Sequence, residues 1–118
     1  MNQSVEIVDL GFSVADAEDI KFHFDGEHLI LEFIDWQEQP ISVKFENTIG
    51  YKYQLAEYWL SDEERFDSTH RVKDSEWVKI HLEQGEAWDA QKWYHYKINF
   101  NAGGIVEILC TDVKNITK

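Results

Sequence analysis

The sequence predicts a mainly β protein made of antiparallel strands, and three observations support that prediction. Apolar and polar residues alternate in most segments, which is the period of a half-buried strand. Turn sequences that contain glycine separate several of these segments. Of the 118 residues, 43% are apolar and 14% are aromatic, which is enough to build one hydrophobic core. We therefore expect a single domain over residues 1–118.

The expected architecture has about six or seven strands and one or two short helices. It is a single antiparallel sheet, a roll, a sandwich or a partly open barrel. An α+β arrangement, in which a twisted sheet packs against one helix, is the alternative. The helix signals are local: residues 61–64 (SDEE) match a capping box. Residues 61–75 are polar overall and are expected to form the longest loop.

The clearest hairpin pairs residues 20–24 (IKFHF) with residues 29–34 (LILEFI). Asp25 and Gly26 lie between them, and this dipeptide is favoured in tight hairpin turns because glycine tolerates a positive φ. Residues 29–34 are more continuously apolar than residues 20–24, so we expect the second strand to be covered on both faces.

The second hairpin pairs residues 94–100 with residues 105–110 through the turn sequence at 101–104 (NAGG). Other predicted strands lie at residues 5–8, at an edge, and at 41–45, 49–53 and 77–82. Apolar residues of one parity in these strands are expected to form the core: Phe22, Phe24, Leu31, Phe33, Val43, Phe45, Ile80, Ile98, Phe100 and Ile108. Cys110 alternates with Val106 and Ile108, so we expect it to be a buried thiol.

The chain is strongly acidic, with a net charge of −12 from 23 acidic and 11 basic side chains. Residues 1–59 hold 12 of the acids and three of the bases. A negative field repels the phosphate backbone of nucleic acids, so nucleic-acid binding is not expected. The charge either keeps the protein in solution or attracts a basic protein partner.

The sequence predicts a cytoplasmic protein. Its single cysteine, Cys110, excludes an intramolecular disulfide. The first residues lack the basic and apolar regions of a secretory signal, and no apolar run approaches the roughly 18 residues that a membrane helix needs. We therefore expect no membrane association, and the sequence leaves the oligomeric state open.

No motif for catalysis or cofactor binding is found, so we predict no catalytic residues and no cofactor. The abundance of carboxylates prevents any one pair from being singled out for acid–base chemistry. His23, Asp25 and His28 are close enough in sequence to suggest a metal site if a second strand adds a ligand. The alternative is that His23 is solvated and Asp25 serves the turn, and we predict no metal.

The candidate binding residues are two tryptophans and two histidines that alternate with apolar positions. Trp77 and His81 share one parity, and Trp93 and His95 share another, with Lys79 and Lys97 beside them. If the two segments pair as strands, one sheet face carries all six side chains, and such aromatic side chains with a polar tip are favoured at binding surfaces. The alternative is a second, minor core beneath the 61–75 loop.

Two functions are compatible with these features. The first is a non-catalytic protein-binding module that docks a partner on its acidic half or its Trp/His face. The small size, acidity and aromatic content are similar to those of bacterial immunity and antitoxin proteins, a resemblance in composition that implies an immunity- or inhibitor-type role. The alternative is a small-ligand-binding protein or enzyme with a pocket between the sheet and the 61–75 loop.

Overall fold

Two antiparallel sheets contain all the strands in the part of the chain that the computed structural model describes, residues 4–55, 64–85, 92–100 and 104–117. The mainly β prediction is confirmed, and the architecture is a sandwich that is not closed into a barrel. The described residues form nine strands and one helix: β1 Ser4–Ile7, β2 Glu18–Phe24, β3 Leu29–Ile34, β4 Pro40–Glu46, β5 Gly50–Gln54, β6 Ser68–Lys73, α1 Glu76–Glu83, β7 Tyr94–Phe100, β8 Gly104–Cys110 and β9 Asp112–Asn115.

The first sheet has five strands in the order β1-β6-β7-β8-β5, and the second has four in the order β2-β3-β4-β9. Their facing sides share one core, in which the ring of Phe33 from the second sheet meets that of Phe100 from the first, with centroids 6.4 Å apart. Alternation explains the faces, because successive side chains of a strand point to opposite sides. Cys110 lies in this core and is fully buried, as expected.

Both predicted hairpins are confirmed by the pairing of β2 with β3 and of β7 with β8. In the first hairpin Gly26 adopts a φ of +96°. One carboxylate oxygen of Asp25 accepts hydrogen bonds from the backbone N–H groups of Glu27 (2.9 Å) and His28 (2.7 Å). The imidazole Nδ1 of His28 accepts the backbone N–H of Asn47. The structure thus uses Asp25 and His28 to build the turn and its contact with the connection between β4 and β5.

The predicted strand at residues 77–82 is wrong, because this segment is helix α1. Ser75 caps the helix by accepting the N–H of Val78, and the acidic Glu76 in the first turn suits the positive end of the helix dipole. Gly85, with a φ of +78°, follows directly after the C-terminal cap. The apolar pattern of residues 77–82 fits either a strand or one side of a helix. The signals at the two ends of the segment decide for the helix.

The expected loop at residues 61–75 is wrong for its second half, which forms β6 between β1 and β7. The sequence of this strand does not show the apolar alternation of a half-buried strand, because its buried side chains include Thr69 and His70. Two core predictions are also wrong, since Ile80 is 48% exposed on α1 and Phe24 is 40% exposed on the edge strand β2. The capping box at 61–63 and most of the 101–104 turn lie outside the described residues.

No helix formed by the described residues is long and apolar enough to cross a membrane.

Candidate functional site

The face of the five-stranded sheet that points away from the core carries a layer of buried polar side chains. His95, Lys97 and Asn99 alternate along β7 with the core residues Tyr96, Ile98 and Phe100. The shared face of His95 and Lys97 was predicted from the sequence. We call the buried polar residues on this face the polar layer: Glu64, His70, Ser75, His95, Lys97, Asn99 and Glu107. Helix α1 contacts β7 on this face. Burying an ionisable group costs free energy unless it is paired or hydrogen-bonded, so the role of each group depends on its partners.

A continuous hydrogen-bonded chain crosses the polar layer from α1 to β8. The N–H of Val78 donates to Ser75 Oγ at 3.2 Å, and Ser75 Oγ lies 2.7 Å from His95 Nδ1. His95 Nε2 lies 2.6 Å from one carboxylate oxygen of Glu107. The other oxygen of Glu107 faces the ammonium of Lys52 at 3.6 Å. Every hydrogen bond in this series has one donor and one acceptor when the Ser75 hydroxyl donates to Nδ1 of a neutral His95 and Nε2 of His95 donates to Glu107.

The surroundings keep His95 neutral. Burial, together with the nearby charges of Lys52 and Lys97, lowers the pKa of His95 to about 3. Burial also raises the pKa of Glu107, while the Lys52 ammonium opposes that shift. With this proton assignment the imidazole donates its single proton to Glu107, and the Lys52 ammonium lies 3.6 Å from the other carboxylate oxygen on the solvent side.

The sequence of hydroxyl, imidazole and carboxylate matches the order of groups in a hydrolase triad, but the local geometry favours a structural role. Ser75 is 6% exposed, and its hydroxyl oxygen is already engaged as the cap of α1. A histidine with a pKa of about 3 is a weak general base at neutral pH, because catalytic bases work best near the ambient pH. We infer that the hydrogen bonds from Ser75 through His95 to Glu107 fix α1 on the sheet.

A second buried group joins Glu64, Lys97 and Asn99. The ammonium of Lys97 and the side-chain amide of Asn99 both donate to the same carboxylate oxygen of Glu64. Lys97 and Glu64 have no side-chain exposure. Burial lowers the pKa of Lys97, and the carboxylate of Glu64 opposes that shift. His70 Nδ1 lies 3.1 Å from the carbonyl oxygen of Lys97, and its Nε2 accepts the N–H of Arg65.

The structure brings three of the four predicted binding residues into contact. The rings of Trp77 and His95 meet edge to face with centroids 5.3 Å apart, and His81 lies 6.1 Å from Trp77 on the same helix. Lys52 lies over the Trp77 ring at 4.6 Å. The fourth residue, Trp93, precedes β7 and lines a cleft together with His95. The contacts therefore join a helix to a sheet, whereas the sequence analysis expected two paired strands.

Exposure separates these residues from an open binding surface. His95 is 3% exposed, and the Trp77 ring that lies against it also packs so close to Gly50 that a Cβ there would lie 3.0 Å from the indole. This arrangement matches the expected alternative of a minor core, here lying beneath α1. A binding role for Trp77, His81, Trp93 and His95 stays a prediction.

An exposed aromatic patch lies elsewhere, along one open side of the sandwich. The ring of Phe22 on β2 meets Tyr53 on β5 at 5.2 Å, and Phe24 meets Tyr51 at 5.4 Å. We call these four residues the aromatic seam. Phe24, Tyr51 and Tyr53 are 40%, 43% and 39% exposed. The sequence analysis assigned Phe22 and Phe24 to the core. The many charged residues of β2, in contrast to the apolar β3, are the signal that could have identified β2 as an exposed edge strand.

The strands that carry the aromatic seam are edge strands of the two sheets within the described residues. Exposed carboxylates flank β2 at both of its ends: Glu18 and Asp19 at the start, and Asp25 and Glu27 beyond the end. The lysines within these two strands are Lys21 on β2 and Lys52 on β5, and Lys52 already faces Glu107. The seam is therefore an apolar strip in an acidic surrounding.

Comparison with protein-family models, curated proteins and solved structures found no match to this chain. Among the residues that the structure describes, no three His, Cys, Asp or Glu side chains come together in a way that could hold a metal ion. The function is therefore argued from the aromatic seam and the polar layer themselves.

Proposed function

We propose that this protein is a non-catalytic protein-binding module that docks a basic partner protein on the aromatic seam. The observation that carries the proposal is the exposure of two facing aromatic pairs across the open side of a sandwich. Aromatic side chains are enriched where protein interfaces gain most of their binding energy, because each ring buries a large area at a small cost in side-chain entropy.

The strength of the proposal lies in how the four rings are held. Each pair joins the edge strand of one sheet to the edge strand of the other, so the rings are positioned by both sheets. A surface that is ordered before binding loses less entropy when a partner arrives. Phe22 is partly buried against the core, which anchors the seam from below, and the most exposed rings of the seam are those of Phe24 and Tyr51.

The backbone next to the seam offers a second mode of contact. Edge strands present unpaired N–H and C=O groups, to which an extended segment of another protein can add as a further strand. The register of β2 is irregular between Glu18 and Lys21, and Asp19 there has a φ of +53°. Such an irregularity protects the start of the strand from pairing and leaves residues 22–24 as the regular part.

Charge favours a basic partner over an acidic one. The carboxylates of Glu18, Asp19, Asp25 and Glu27 flank the seam, and residues 1–59 as a whole carry nine more acids than bases. A field of this sign speeds the encounter with a basic protein and disfavours nucleic acid. An immunity- or inhibitor-type role in the cytoplasm fits this mode of binding, and the buried, unpaired thiol of Cys110 suits a reducing compartment.

The direct test is affinity capture from source-cell lysate at about 0.1 M and 1 M salt. The test variant is Phe24→Ser/Tyr51→Ser, and the matched control is Trp36→Ser, which removes a 58% exposed aromatic ring from the β3–β4 turn. We expect a basic protein to bind the wild type and the control at low salt and to leave at high salt. The double variant should weaken binding by about thirtyfold or more, the value of one interface hot spot.

A second variant separates steering from contact. Glu18→Gln/Glu27→Gln should slow association of the captured partner and flatten its salt dependence, with little change in dissociation. The proposal is wrong if the captured protein binds the Phe24→Ser/Tyr51→Ser variant as tightly as the wild type. It is also wrong if the only occupant of the seam is a second copy of this chain, which sedimentation of the purified protein would reveal.

A further inference from the structure

A cleft of about 530 Å³ lies between α1 and the neighbouring ends of β6 and β7. Its size falls within the range of small-molecule sites. It is separate from the aromatic seam, and its walls are unusual for an acidic protein because they hold four of the 11 basic side chains: Arg71, Lys73, Lys79 and Lys92.

The charges in the cleft do not cancel. Asp74 is the one carboxylate among the lining residues, and Glu6 on β1 binds Arg71 and lies 3.7 Å from the ammonium of Lys73. Within the described part of the chain, Lys79 and Lys92 form no salt bridge with a carboxylate. Two cations therefore face the cleft with their charge available, in a chain whose net charge is −12.

The rest of the wall is apolar and aromatic. Val78 and Leu82 are one helical turn apart on α1 and form one side, and Trp93, just before β7, forms another. Tyr94 also lines the cleft, but its ring packs against the core and stacks on Tyr96 at 5.7 Å. A flat apolar group can insert between these walls while an anion reaches the lysines.

The floor is rigid and polar. Ser75 and His95 line it, and both are held in the hydrogen-bonded chain that ends on Glu107. These hydrogen bonds fix the positions of both side chains. The cleft is therefore ordered before anything binds, which reduces the entropy that binding must overcome.

We infer that the cleft binds a small organic anion that carries an aromatic ring, with Lys79 and Lys92 holding the anionic group and the ring lying against Trp93 and the α1 side chains. An ammonium is a point charge that accepts either a phosphate or a carboxylate, so the shared chemistry is an aryl group joined to an anion. This site is independent of the partner proposed for the aromatic seam.

The test is calorimetric titration of the full chain with phenyl phosphate at low salt. Inorganic phosphate carries only the anion and benzyl alcohol only the ring, so both serve as half-probes. We expect saturable binding of phenyl phosphate and binding of each half-probe that is about tenfold weaker or more. Chemical-shift changes should be confined to residues 71–82 and 92–95.

Two double variants complete the test, and both shift the net charge equally. Lys79→Gln/Lys92→Gln should weaken phenyl phosphate by about tenfold or more. Lys44→Gln/Lys114→Gln, which removes two lysines beside Glu46 on the other sheet, should leave it unchanged. The inference is overturned if phenyl phosphate shows no saturable binding, if inorganic phosphate binds equally well, or if both double variants lose the same affinity.

Discussion

The buried pair of Lys97 and Glu64 gives the sharpest prediction about what holds the polar layer together. Neither side chain has any exposure, and the side-chain amide of Asn99 donates to the same carboxylate oxygen as the Lys97 ammonium. Lys97→Met therefore removes the ammonium that lies against a buried carboxylate. Removing one partner of a buried pair typically costs about 3–5 kcal/mol of stability, because the other charge loses both water and its counter-ion.

Replacing both partners should cost far less. In Glu64→Leu/Lys97→Met both charges of the pair are removed. The side-chain amide of Asn99 still donates to the carbonyl oxygen of Arg65. Exchanging a whole buried pair for apolar side chains is often neutral or stabilising. We expect the double variant to lie within about 1 kcal/mol of the wild type, so that the two single effects are strongly non-additive.

Urea unfolding followed by tryptophan fluorescence measures these differences, provided that the slope of the transition is unchanged. Lys44→Met is the matched control, since its ammonium lies 3.9 Å from Glu46 and the two side chains are 30% and 22% exposed. That pair should contribute less than about 1 kcal/mol. The reasoning is refuted if Lys97→Met costs no more than Lys44→Met, or if the two single costs simply add in the double variant.

Three further predictions concern the core, the thiol and metals. Phe45→Ala, at a fully buried position, should cost about 3–5 kcal/mol in urea unfolding, and Phe24→Ala clearly less; equal costs would contradict the observed strand positions. Cys110 should resist a thiol reagent until the protein unfolds. Burial raises the pKa of Cys110 from 9.0 to about 12. The free energy of unfolding should therefore fall by up to about 1.4 kcal/mol for each pH unit between pH 9 and 12, where the thiol ionises only in the unfolded protein. Cys110→Ala should lessen that fall. Thermal melts with and without a strong chelator should superimpose, and a loss of several degrees would return His23 and His28 to consideration as ligands.

Local signals explain which parts of the fold could be predicted. The β2–β3 hairpin follows from its Asp25-Gly26 turn, and the two faces of β7 follow from alternation alone. Helix α1 was missed because the strand and helix patterns coincide over six residues, and only the cap at Ser75 and the stop at Gly85 separate them. The β6 strand was missed because its buried polar side chains find partners far along the chain, which no local pattern reveals.

The same limit applies to the candidate sites. Parity placed His95 and Lys97 on one face, but their partners Glu107 and Glu64 depend on strand register and on the chain that covers the sheet. The aromatic seam depends on which strands lie at sheet edges, and that is a property of the whole topology. Phe24 has the parity of a core residue, and only the position of β2 at an edge leaves its ring exposed.

Hydrogen–deuterium exchange of the free protein and of its complex with the captured basic partner tests the central claim most directly. The account predicts that binding slows exchange in β2 and β5, in particular at residues 22–24 and 51–53, and leaves α1 unchanged. Protection confined to α1 and β6, with no change in β2 or β5, would contradict the assignment of the aromatic seam as the docking surface.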